Sequence, residues 1–181
     1  KFPVYSSVSY DKGGNMIGYH GTNADFSRFD DKFMGSAENG EVLGSGFYFG
    51  VERDIANHFG NRVLKCKIRV LGEAFRYDSD NEVSEEVIRY LILRAPGYRE
   101  TLTDFGDVDS DGLESVMMET VDRFFGLTHY QIACKLSNDF YKDNPAEFNR
   151  NFVDLTGINV IWDQHFFCVL GARFIEIEEA Y

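Results

Sequence analysis

The repeat of apolar and polar positions changes period along the chain, and each change marks a change of element. Residues 61–72, NRVLKCKIRVLG, place Leu64, Cys66, Ile68 and Val70 on one side of a two-residue repeat, opposite Val63, Lys65, Lys67 and Arg69. That alternation predicts a strand with one buried face. NMIGYHGT (15–22) and SGFYFG (45–50) are shorter apolar runs that also predict strands, and the rest of residues 1–50 reads as short strands and loops. GVERDIANHFG (50–60) switches to a helical period, with Ile55, Ala56 and Phe59 on one face and Gly60 as its stop. EVSEEVIRYLILR (82–94) is helical through Val83, Val87, Tyr90 and Leu91, and Pro96 and Gly97 lie just beyond its end.

From Leu113 to about Phe152 the helical period continues in LESVMMETVDRFFG, THYQIACKLSNDFYK and NPAEFNRNFVDLTG, divided by Gly126 and Asn144-Pro145. GINVIWDQHFFCVLGARFIEIEE (157–179) returns to a β-rich composition and predicts two strands. Strands at both ends with helices between them predict an α+β fold in which the terminal strands pair around the core. We expect a single domain over 1–181 with a helical insertion at about 113–152.

Composition narrows the partners. The 17 Phe and 10 Tyr among 181 residues are more aromatic surface than a disordered chain carries, so a packed domain is expected. A net charge of −12 repels phosphate backbones and anionic lipid, which disfavours nucleic acid and membrane surfaces as partners. It still admits a small anionic ligand held by backbone N–H groups or a single Arg. Cys66, Cys134 and Cys168 are scattered without a CxxC pair, a pattern that suits reduced thiols rather than a disulfide framework or zinc site. No apolar run approaches the roughly 18–20 residues of a membrane span, and no signal peptide is visible. A cytoplasmic protein is the expectation, and the opening on Lys1 rather than Met suits a piece of a longer one.

DVDSDG (107–112) matches the first half of a calcium loop, but Met118 stands where the bidentate Glu belongs. An acidic loop ahead of the helix at Leu113 is expected instead. His58, His129 and His165 have no metal-ligand spacing, and no metal is expected. Trp162, Phe166 and Phe167 are expected to pack the core.

Three short motifs carry candidate chemistry. His20-Gly21-Thr22 ends a strand with an imidazole beside a residue that lets a ligand approach the backbone. Tyr48 offers a ring on the strand face opposite Phe47 and Phe49. Phe59 ends the following helix. Singly, each is more simply a piece of core.

In this order, YHGT … GSGFYFG … ANHF resembles the nicotinamide-binding half of the diphtheria-toxin-like ADP-ribosyltransferases, which include the poly(ADP-ribose) polymerases. The likeness to phage and bacterial mono-ADP-ribosyltransferase domains is closer, because GTNADFSRFD (21–30) also fits their pattern. It covers about residues 17–72, weakens at the C-terminal strands and does not extend to the helices at 113–152. The resemblance implies a split β-sheet core and NAD+ as co-substrate. It implies that His20 and Thr22 lie at the cofactor site, with His20 holding a ribose hydroxyl. Gly21 would pair with the nicotinamide carboxamide, and Tyr48 and Phe59 would flank the ring. Ala56 replaces a Ser that bonds the carboxamide in the polymerases. Arg28 and Arg53 could reach the diphosphate, and nothing in the sequence singles either out.

A third catalytic position stays open. The family's Glu opens a late strand, and laying GINVIWDQ on that strand puts Ile158 there, as in mono-ADP-ribosylating relatives. Asp163 ranks level with it, Gln164 enters if the register slips, and Asp78 ranks behind, by likeness to rifamycin ADP-ribosyltransferases. The implied activity is transfer of ADP-ribose to a protein or small-molecule acceptor. An inactive NAD+- or ADP-ribose-binding module, or an interaction domain with no cofactor, are the alternatives.

Overall fold

The computed structural model describes residues 8–34, 44–72, 75–76, 82–103, 110–141, 144–163 and 165–181. Two compact units divide the chain, Lys1–Asp78 with Gly157–Tyr181, and Ser79–Thr156. The helical unit is therefore longer than the insertion predicted at 113–152. The overall class is mixed α+β.

The first unit carries the sheet: β1 (Ser9–Tyr10), β2 (Met16–Thr22), β3 (Phe47–Gly50), β4 (Arg62–Ile68), β5 (Phe75–Arg76), β6 (Val160–Trp162), β7 (Phe166–Val169) and β8 (Ile175–Ala180). Its order is β5-β6-β7-β3-β2-β4-β8, with β1 paired to β2. Neighbours are antiparallel except β5 and β6, which run parallel. β2 and β4 pair from Met16↔Ile68 to Thr22↔Arg62. That register puts Met16, Gly18 and His20 on the face of Leu64, Cys66 and Ile68, all three fully buried. Lys65 and Lys67 stay on the other face, as the two-residue repeat predicted. Burial pushes the Cys66 thiol up to about 12, so it is a packing group rather than a nucleophile.

The segment 157–179 predicted two strands and forms parts of three. Val160–Trp162 and Phe167–Leu170 are buried without alternation, so periodicity cannot show the reversal between them. The hairpin closes with the Asp163 N–H donating to the Phe166 carbonyl at 2.8 Å. The helix predicted at 50–60 is one turn, α1 (Arg53–Ala56), tightened into a 3-10 turn at Asn57–Phe59.

The second unit contains α2 (Glu85–Arg94), α3 (Tyr98–Thr103), α4 (Ser110–Phe124), α5 (His129–Phe140) and α6 (Pro145–Thr156). Their starts are written locally: Ser84 Oγ accepts from Val87 N–H, and Thr128 with Gln131 forms a reciprocal capping box. Ile88, Leu91, Ile92, Leu136, Phe148 and Phe152 are buried, and the Tyr141 hydroxyl donates to the Leu91 carbonyl. Of the calcium-like run, 107–109 lie outside the described residues, and Ser110–Gly112 are the first turn of α4 rather than a loop. No described helix is long and apolar enough to cross a membrane.

Phe49 is central to the sheet's core, its ring stacked 5.4 Å from Phe167 and tilted against Phe29 at 5.6 Å. Phe49→Ala is expected to cost about 3–5 kcal/mol in urea unfolding. A loss below about 1 kcal/mol would show that these rings do not form the core.

Candidate active site

β2 and β3 share one ladder pair, Tyr19↔Gly50, although β3 pairs along its whole length with β7 and β2 with β4. Beyond that pair an imidazole replaces the backbone. His20 Nδ1 lies 2.8 Å from the Tyr48 carbonyl oxygen. A carbonyl only accepts, so Nδ1 carries the proton and Nε2 is left with its lone pair in the neutral ring. Three rings surround the imidazole: Phe29 at 5.0 Å, Phe49 at 5.5 Å and Phe26 at 6.2 Å. Burial among them pushes His20 below the usual 6.5, outweighing the Tyr48 carbonyl, which favours the protonated form. His20 is therefore a neutral hydrogen-bond acceptor at pH 7.

On the other face, the helical turn sits on β2 with backbone touching backbone. A Cβ on Gly21 would lie 1.9 Å from the Ala56 carbonyl oxygen, and one on Gly60 would lie 2.3 Å from the Thr22 carbonyl carbon. Only glycine fits at both points. The same contact brings the Phe59 Cβ within 3.1 Å of that Gly21 position while leaving Phe59 52% exposed. An aromatic residue is thus fixed beside the Gly21 backbone and still open to solvent.

Tyr48 lies between two buried neighbours, Phe47 and Phe49, that point to the core face. Counting from Tyr19↔Gly50, the antiparallel register sets Tyr48 across from Gly21, with both on the same face. Its hydroxyl donates to the Gly44 carbonyl at 2.6 Å. Thr22 Oγ1 accepts from Ala24 N–H at 3.0 Å, a turn-forming bond. Ala56 is buried beneath the turn. Arg53 stacks over the Tyr181 ring at 3.9 Å, and Arg28 is exposed.

His20, Gly21, Thr22, Tyr48 and Phe59 therefore all lie at the β2–β3 junction, with the His20 ring on the core face and Gly21, Tyr48 and the turn bearing Phe59 on the other. Ile158 and Asp163 do not join them. They flank β6, and β7 stands between β6 and β3. Two strand spacings, about 9–10 Å, separate β6 from the strand of Tyr48. The strand beside β3 presents Phe166, Phe167, Cys168 and Val169, none of them a carboxylate. Asp78 and Gln164 lie outside the described residues. Phe26 and Phe29, the rings on His20, were legible only as the spacing in DFSRFD, which does not say what they cover.

The chain matches no protein-family model, no curated protein and no solved structure.

Two outcomes are expected. The folded protein takes up the His20 proton less readily than the unfolded chain. The His20 contribution to stability is therefore full above pH 6.5 and falls as the pH drops below it. The imidazole should titrate below 6.5 by proton NMR, and His20→Asn should remove part of the stability lost between pH 7 and 5. A midpoint at or above 6.5 would contradict the buried setting. Gly21→Ala should cost about 1–3 kcal/mol by displacing the turn at Ala56. A neutral result in chemical denaturation would refute that close contact.

Proposed function

We propose that this chain binds NAD+ at the β2–β3 junction and transfers its ADP-ribose to a protein or small-molecule acceptor. The observation that carries this reading is the His20 Nδ1 bond to the Tyr48 carbonyl where the ladder stops, with Gly21 next in sequence. An exposed Phe59 beside Gly21 supports it, as does a sheet in which the His strand and the Tyr strand are neighbours.

The residues present fit the parts of that substrate. Neutral His20 accepts a hydrogen bond from a ribose hydroxyl through Nε2, and its aromatic surroundings exclude water from that bond. The Gly21 backbone pairs with the carboxamide, where no side chain stands in the way. Phe59 and Tyr48 flank the nicotinamide ring. In the reaction the bond between nicotinamide and the anomeric carbon breaks, and its electron pair leaves with neutral nicotinamide. The acceptor's lone pair then bonds to that carbon, and an acceptor hydroxyl or amine releases one proton. The site's contribution is to hold the sugar and grip the leaving group while positive charge develops on the ribose.

A second reading, an NAD+- or ADP-ribose-binding module without turnover, is favoured by one observation. The strand beside β3 carries no carboxylate to stabilise the ribose charge.

Nicotinamide release from labelled NAD+, with transfer of label to protein in a lysate, separates the two. Turnover is expected, and His20→Ala should lower it by about 100-fold or more. Phe59→Ala should weaken NAD+ binding by about 3–10-fold with little change in stability, since the ring is already 52% exposed. Binding without release selects the module, and no binding at all overturns both readings.

A further inference from the structure

Beyond the end of β2, residues 23–30 fold back over His20 and lay Phe26 and Phe29 against its ring. This segment is tied at both ends. The Asn61 N–H donates to Asn23 Oδ1 at 2.9 Å, and Arg62 Nη1 donates to Asp25 Oδ1 at 2.9 Å and to the Phe26 carbonyl at 3.4 Å. Just past the far end, the Ala172 N–H donates to Asp31 Oδ1 at 2.7 Å.

The two rings are not equally secured. Phe29 is buried, with Phe47 at 5.2 Å and Phe49 at 5.6 Å. Phe26 is half-buried, its ring 5.1 Å from Phe29 and 6.2 Å from His20. Its backbone carbonyl is an acceptor for Arg62, and its neighbour Asp25 is the other. One guanidinium at the start of β4 thus ties the outer wall over the imidazole to the sheet.

We infer that Arg62 is a positioning residue for His20: clasped by Asp25, it holds the Phe26 ring over the imidazole and keeps water from it. The significance of this clasp rests on the proposed function, in which His20 holds the ribose, but its effect on His20 is measurable without NAD+. The Asp25 side chain is fully exposed, and exposed ion pairs add little to global stability. The clasp acts locally. The charged residues on the elements packed around His20 are Asp25, Arg28 and Asp30 on the segment and Arg62, Lys65 and Lys67 on β4. None of them contributes to its depressed titration, which follows from burial.

The test is a proton NMR titration of His20 in Arg62→Met and Asp25→Ala, assigned by the signal missing from His20→Asn. Nuclear Overhauser contacts between the Phe26 and His20 rings are followed in the same samples. Both variants should lose those contacts, and the midpoint should rise toward 6.5. Arg89→Met, which breaks a comparable surface pair with Glu114 in the helical unit, should leave His20 unchanged. An unmoved midpoint with intact ring contacts in Asp25→Ala overturns the clasp, whether or not Arg62→Met folds. A protein that ignores NAD+ would refute the proposed function and leave this result fully readable.

Discussion

Where β2 and β3 would exchange further ladder bonds, an imidazole takes the place of a backbone donor. A strand carbonyl needs a partner when water is excluded. The Tyr48 carbonyl accepts from the His20 side chain, Nδ1 at 2.8 Å, where a ladder bond would use the backbone of β2. Each strand is meanwhile held along its outer edge, β2 by β4 and β3 by β7. The two strands are thus fixed from outside, and between them the Tyr19↔Gly50 pair gives way to the His20 side chain. The same bond sets the tautomer of His20, so fold and chemistry meet in a single proton.

The helical turn is subject to a complementary constraint. Its approach to β2 is limited by backbone atoms at Gly21 and Gly60, not by side chains that repack. Phe59 therefore cannot sink further into the protein, and half of its surface stays open. Leaving apolar area in water forgoes roughly 25 cal/mol for each Å² not buried. A flat ligand lying on Phe59 would recover part of that.

The sequence was informative where a residue's role is local. Alternation in NRVLKCKIRVLG identified β4 and its buried face, and the YHGT and GFYFG runs located β2 and β3. Cap chemistry at Ser84 and Thr128 likewise marks helix starts without tertiary help. It was uninformative where a choice depends on which strands become neighbours. Val160–Trp162 and Phe166–Leu170 are apolar without alternation, so the insertion of β7 beside β3 has no periodic signature. Laying GINVIWDQ on a late strand therefore says nothing of which late strand stands beside β3. The pairing of Arg62 with Asp25 spans 37 residues and leaves no local trace at all.

In the function proposed above, NAD+ occupies the junction built by His20, Gly21, Tyr48 and Phe59. NAD+ is titrated into isotope-labelled protein while backbone amides and aromatic rings are followed by NMR. The Gly21 amide and the His20 and Phe59 rings should shift together with one dissociation constant. Saturating NAD+ that leaves these three signals unmoved would contradict it.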